Sequence, residues 1–460
     1  MKSSNENEKG KKEIKKKIKK KKIKKEIKKK KEVKRRNERK SERKSEKLIL
    51  FFFFFLLISS IFYSEAIKWK YQTNEITQAN LILVDNRICS FSVKGVINCF
   101  NRYGSRLFTK EIGKAIYDDP IYDGKIYIPV EDGLYKMERD GYISEKFIVN
   151  ESFLTPISYE SLIIAPSNKT VFVFEKDKIS NPIRKIDFGE EIATAVLAKG
   201  KLYVLTKDGI VYSVDPYSGS KVKFFSVNFG IGNAAAFLEN KIVFGAENYL
   251  VSFYLGGGKA FEKRLESWIN SIVTDGERIY VGTNRGLVVF DKEGEEIGRF
   301  YTEDAVRKKV KIVNQTIYVP SNDKSLYALS KNLSLKWKIT LTDWVSSPVY
   351  NDGMIFVVTY DGTVFGISTL NCIIDRPAEN GTIFTNAYFF GRAYADSGIE
   401  SVEITTVPGE WKVISREENW VGNLIISGFD EGKILFKCRV RDKEGNVEEE
   451  PYFSLELNYV

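Results

Sequence analysis

Histidine is absent from all 460 residues. Its absence removes the commonest general base at neutral pH and the commonest zinc ligand. It also excludes any Ser–His or Cys–His nucleophile. Glutamine occurs only at positions 72, 78 and 315, and there are three methionines. The four cysteines show no C-x2-C spacing, so zinc binding is not expected of them. No P-loop occurs, and no glycine-rich loop has the dinucleotide spacing. Gly256-Gly257-Gly258 reads as a loop between strands. Asp291-Lys292-Glu293-Gly294 and Asp442-Lys443-Glu444-Gly445 read as turns rather than calcium loops. The pattern therefore supplies no catalytic, cofactor-binding or metal-binding residue and predicts no cofactor. Lys, Glu and Ile are used heavily, a bias shared by hyperthermophile proteins and by AT-rich coding DNA.

The net charge of +11 is unevenly placed. Residues 1–47 hold 25 basic and 8 acidic side chains, and the remainder carries a net charge of −6. The folded part therefore lacks the basic footprint of a nucleic-acid binder. The tract reads as a cytoplasmic arm drawn to anionic lipid or RNA, as a solvated self-repelling tail, or as sequence upstream of the true translation start. Its isoleucines keep no heptad spacing, which argues against a coiled coil. Residues 48–63, LILFFFFFLLISSIFY, carry no charge and follow the basic tract directly. A membrane helix prefers roughly 20 apolar residues, so this one is short. The five consecutive Phe show no amphipathic period, and the basic flank marks the cytoplasmic side. Residues 48–66 are thus a signal anchor or a signal peptide cleaved after Ala66, and in both cases the chain from Ile67 onward is extracellular. Five N-x-S/T sequons in that part, at Asn150, Asn168, Asn314, Asn332 and Asn380, suit a glycosylated surface protein.

The strongest internal signal is a repeat of about 38 residues. An aliphatic residue follows a turn at Ile88, Ile126, Leu162, Leu202, Ile242, Ile279, Ile317 and Ile355, in steps of 36 to 40 residues. A second turn recurs about seven residues later, at Gly95, Gly133, Lys169, Gly209, Asn248, Gly286, Lys324 and Gly362. The runs between these turns are β-branched and aromatic, as in Lys201-Leu202-Tyr203-Val204. Turns every 8 to 12 residues with a period of two exclude a helical repeat. Four short strands per unit predict an eight-bladed β-propeller over 67–370, or seven blades if the third or fifth repeat is degenerate.

The eighth repeat lacks an outer strand where Asp375 falls. The tripeptide Lys336-Trp337-Lys338 marks that strand in the seventh repeat, and the same tripeptide stands at Lys68-Trp69-Lys70. Residues 67–72 are thus expected to complete the last blade, with Trp69 and Trp337 in equivalent places.

The succession Ile317-Tyr318-Val319, Leu326-Tyr327-Ala328-Leu329 and Leu335-Lys336-Trp337-Lys338 resembles the pyrroloquinoline-quinone-type propeller repeat. Non-enzymatic members of that superfamily include the lipoprotein propeller of bacterial outer-membrane assembly. Its quinone-dependent dehydrogenases use an adjacent Cys-Cys pair, which this sequence lacks, and Phe108, Phe147, Phe261 and Phe300 stand where docking tryptophans are usual.

Beyond residue 371 the repeat ends, and Arg376 to Thr382 reads as a linker. Short alternating runs over 371–460 suit a small Ig-like β-sandwich. Gly391 to Asp396, Trp411, Trp420 and Arg441-Asp442 resemble the Ig-like modules of prokaryotic surface proteins. Cys89 and Cys99 flank the first hairpin symmetrically, and Cys372 and Cys438 bracket the C-terminal module. Both pairs are disulfide candidates in an exported chain, and small buried thiols are the alternative for the first. Asp118, Asp119, Asp208 and Asp361 could bring two carboxylates together over a central funnel. The sequence therefore predicts a membrane-anchored or secreted, non-catalytic scaffold presenting loops to an unidentified protein or glycan partner. A funnel-site enzyme, carbohydrate-active or quinone-dependent, is the alternative.

Overall fold

Every regular element among the described residues is a β-strand. The computed structural model describes residues 66–450 and 453–458, so the basic arm and the apolar segment 48–63 lie outside the described residues. No helix among the described residues is long and apolar enough to cross a membrane.

Residues 67–368 form eight four-stranded antiparallel sheets, and the fold is a β-propeller. In each sheet the second strand carries the repeated aliphatic residue, and all eight of these residues are at most 2% exposed. Strands such as Lys125–Val130 and Met354–Val358 are buried on nearly every residue. They are sandwiched between neighbouring sheets, so both faces are apolar and simple alternation is lost. The outer strands, such as Arg106–Glu111 and Glu296–Tyr301, meet solvent on one side and alternate.

The turn glycines answer to sterics. Gly362 has φ +83°, and a Cβ there would lie 2.1 Å from the Glu75 carbonyl oxygen. Gly133 has no positive φ, but a Cβ would meet the Phe147 carbonyl oxygen at 1.9 Å.

The last sheet is assembled from both ends of the propeller sequence. Ile67–Gln72 pairs antiparallel with Thr363–Ser368, with Lys70 opposite Phe365 and Tyr71 opposite Val364. Trp69 packs on Phe356 of this sheet and on Phe100 of the first, with ring centroids 5.9 and 6.1 Å apart. Its indole N–H donates to the Arg102 carbonyl at 2.7 Å. This contact knits the end of the propeller to its beginning.

After the last propeller strand the chain forms two further sheets. One contains Leu370–Arg376, Asn386–Ala395 and Asn419–Ile425. The other is centred on Ile399–Val407 and Gly432–Asp442. Phe389, Trp420, Phe436 and Leu455 fill the core between them. The stretch around Asp375, where no strand was expected, is a strand of this module and not of the propeller. Leu370 and Cys372 turn into the module's core, which is what captures the strand there.

Because the strands alternate in direction, the propeller's turns segregate to two faces. One face carries the turns between first and second and between third and fourth strands. The other carries the second-to-third turns and the connections between sheets. The C-terminal module contacts the first of these faces. There Asp396 is buried, accepting hydrogen bonds from the Tyr318 hydroxyl and, at 3.4 Å, from the Trp337 indole N–H. The Lys336 ammonium donates to the Asp396 carbonyl at 2.9 Å, and Lys68 pairs with Glu450 at 2.8 Å.

Candidate functional site

In every sheet the residues leading into or opening the first strand lie at the propeller's axis. Asn80, Asp118, Thr155, Thr194, Asn233, Ser271, Lys308 and Ser347 together represent all eight sheets, and they line a channel cavity of about 510 Å³.

Many of the polar groups are already committed. The Asn80 backbone N–H and side-chain amide donate to the two Asp119 carboxylate oxygens at 2.7 and 2.6 Å. The Ser347 N–H donates to Asn80 Oδ1 at 2.8 Å, and the Lys309 N–H donates to Ser347 Oγ at 3.0 Å. Ser271 Oγ donates to the Lys308 carbonyl at 3.0 Å, and Lys308 Nζ to the Gln78 carbonyl at 2.6 Å. These bonds tie the sixth, seventh, eighth, first and second sheets to one another along one side of the axis. Asp118 is half-buried. Burial and the neighbouring Asp119 push its carboxyl up to about 6, against the pull of Lys308 and a hydrogen bond from Thr155. The two carboxylates are therefore unlike: Asp119 is fully engaged in joining sheets, and Asp118 is held above the usual carboxylate range.

Beside the channel mouth is a second cavity of about 300 Å³ that shares Gln78, Tyr117, Arg307 and Lys308 with it. Its wall is the pair Trp344 and Tyr360, with ring centroids 5.4 Å apart. Trp344 is 47% exposed and Tyr117 49%. The Tyr360 N–H donates to the Trp344 carbonyl at 2.9 Å, which hooks the connecting loop to the second-to-third turn of its own sheet. The Asn284 N–H holds the Trp268 carbonyl in the same way at 3.2 Å. Sequence reasoning missed this feature. A signal was present: Trp268 and Trp344 both stand eleven residues before the marker aliphatic of their repeats, Ile279 and Ile355.

The residues singled out from sequence are dispersed. Cys89 is disulfide-bonded to Cys99 across the first hairpin, and Cys372 to Cys438 inside the C-terminal module. Asn150, Asn168, Asn314, Asn332 and Asn380 are all exposed and lie between strands. Asn380 Oδ1 accepts from the Ser454 hydroxyl at 2.9 Å, and Asn332 Oδ1 accepts from the Ser330 hydroxyl. Trp69 and Trp337 occupy outer strands of two sheets, and neither faces the channel. Asp208 and Asp361 brace turns, accepting from Thr206 at 2.5 Å and Thr359 at 2.6 Å. Of the carboxylates considered, only Asp118 and Asp119 line the channel. No group of metal-ligating side chains occurs among the described residues.

Residues 207–374 match the family model described as outer membrane protein assembly factor BamB. No curated protein matches the chain. Among solved structures, the computationally designed Ika8 protein is similar with a TM-score of 0.59 at 14% identity, over 65% of this chain and 97% of its own. BamB from Moraxella catarrhalis is similar with a TM-score of 0.55 at 13% identity, over 66% and 99%. Sqt1 from Saccharomyces cerevisiae is similar with a TM-score of 0.57 at 10% identity, over 65% and 97%. These likenesses establish the β-propeller, and over residues 207–374 its repeat is similar to the pyrroloquinoline-quinone type.

Proposed function

We propose that this chain is a surface-exposed, non-catalytic binding scaffold. In this reading an eight-bladed propeller is capped by an Ig-like module and presents its second-to-third turns and connecting loops to a protein or glycan partner. The observation that carries the reading is the contrast within the site. Several of the channel's polar groups, Asn80, Asp119, Ser271, Lys308 and Ser347, are used in joining sheets, whereas Trp344 and Tyr117 beside its mouth are exposed and, with the half-buried Tyr360, line a cavity. Exposed aromatics are good material for recognition.

The family match supports the same direction, since an assembly factor acts by engaging other proteins. Export through the segment 48–63 remains part of the proposal, with the segment retained as an anchor or cleaved after Ala66. The exposed sequons and the two disulfides suit an exported chain. Proximity labelling in native membranes, with the label at the turn Asp361-Gly362, tests the reading. Adducts with a discrete partner set, lost on denaturation, are expected. Labelling no richer than from a label at the opposite turn Asp352-Gly353 would sink it.

A further inference from the structure

The cavity beside the channel mouth has a chemical character of its own. Arg307 and Lys308 line it, and no carboxylate does. Arg307 is exposed and makes no ion pair or hydrogen bond with any described residue. Asn322 is only 9% exposed, yet its side-chain amide has no hydrogen-bond partner among the described residues and lines the same space. Its amide therefore opens into the cavity, free to meet water or a ligand. The Gln78 amide stands at the same opening, also without a side-chain partner. The remaining wall is aromatic, formed by Trp344 and Tyr360.

We propose that this cavity binds an acidic glycan, one whose sugar rings carry carboxylates. The proposal rests on the reading of the loop face as a binding face and supplies its ligand class. A pyranose ring has an apolar C–H face and a rim of hydroxyls. The Trp344–Tyr360 wall takes the first, since an aromatic face is apolar and electron-rich. The Asn322 and Gln78 amides each offer a donor and an acceptor, matching a pair of neighbouring hydroxyls. Arg307 supplies the planar fork that holds a carboxylate through two hydrogen bonds. The volume of about 300 Å³ lies at the small end of ligand sites, which fits a short stretch of a chain entering from an open mouth. A peptide is the lesser fit. Its backbone needs a strand edge or a run of donors and acceptors in line, and the cavity instead places separate amides around an aromatic shelf.

The test uses the full chain in detergent and oligogalacturonate as the probe, read by titration calorimetry. Neutral galactose oligomers and a glutamate-rich peptide serve as comparisons. Saturable binding is expected, with oligogalacturonate at least roughly tenfold tighter than the neutral oligomer, the difference a bidentate Arg–carboxylate contact supplies. Arg307→Gln should erase that difference, and Trp344→Ala should lose binding of both oligomers, each with an unchanged unfolding midpoint. Equal affinity for both oligomers, or full affinity in Trp344→Ala, overturns the proposal. Binding of the glutamate-rich peptide alone overturns the glycan assignment and leaves the loop-face reading standing. No ligand response together with no partner labelling at Asp361-Gly362 overturns both.

Discussion

The propeller's two faces use tryptophan in opposite ways. On the face that meets the C-terminal module, Trp337 is 2% exposed and its indole N–H reaches Asp396. On the other face, Trp268 is 60% and Trp344 47% exposed. They belong to three repeats of one kind, Trp337 in an outer strand and Trp268 and Trp344 in connections between sheets, so the repeat alone does not decide the difference. What decides it is whether another part of the chain covers the ring. A single exposed aromatic needs no explanation. Two at the same repeat position, one of them walling a cavity with an unpartnered amide, mark a surface kept open for something else.

The largest effect should come from breaking the covered side. Trp337→Ala removes a buried ring that packs on Tyr318 with centroids 5.8 Å apart and leaves Asp396 without one donor. A loss of about 3–5 kcal/mol in chemical unfolding is expected. A loss below about 1 kcal/mol would mean that Trp337 is no better packed than the exposed tryptophans.

The two disulfides sharpen the contrast between module and propeller. Cys372–Cys438 closes 66 residues and Cys89–Cys99 closes 10. Loop-closure entropy gives about 4 kcal/mol for the longer and about 3 kcal/mol for the shorter. Alanine pairs at each site, compared by denaturant midpoint, should keep that order. The reverse order would show that the hairpin is held less by its sheet than by its bond.

The junction should also respond to pH. Burial pushes the Asp396 carboxyl up to about 7, against the hydrogen bonds from Tyr318 and Trp337 and the charge of Lys336. An unfolded aspartic acid releases its proton near pH ~4. Between that value and pH 7 the folded chain holds a proton that the unfolded chain has lost. Stability is therefore complete below about pH 4 and declines as the pH rises to 7, by an amount of order 2–4 kcal/mol. Asp396→Asn cannot ionise and should flatten the midpoint between pH 5 and 8 relative to the parent. An equal slope in both proteins would remove Asp396 from the account.

The propeller was legible because its signal is repeated. Ile88 to Ile355 recur at one place in each unit, and every one is a buried second-strand residue. The segment 67–72 was legible through a tripeptide, and it forms a strand with the same bounds, Ile67–Gln72. What was not legible depends on geometry across distant repeats. Asp118 and Asp119 enter the channel because the segment leading into every sheet's first strand does, which the local sequence Tyr117-Asp118-Asp119-Pro120 does not announce. Asn322 stands in the second-to-third turn of the seventh sheet and Trp344 in the connection into the eighth, and they meet only once those two sheets have packed. Asp396 looked like part of a module's own pattern. Its partners Tyr318 and Trp337 are 78 and 59 residues away, in an element that periodicity had already explained.

The smallest expected effect on stability is also the one that separates the two faces most cleanly. Trp344→Ala removes a ring that is nearly half exposed and whose loop is held by backbone, through the Tyr360 N–H, and not by the indole. The unfolding midpoint should stay within about 0.5 kcal/mol of the parent, as for surface changes away from packed contacts. The same substitution at Trp337 should cost several times more. If instead Trp344→Ala destabilises the chain as much as Trp337→Ala, the ring beside the channel mouth is a brace for the last sheet. Its exposure would then be the edge of a packed contact and no sign of an open surface.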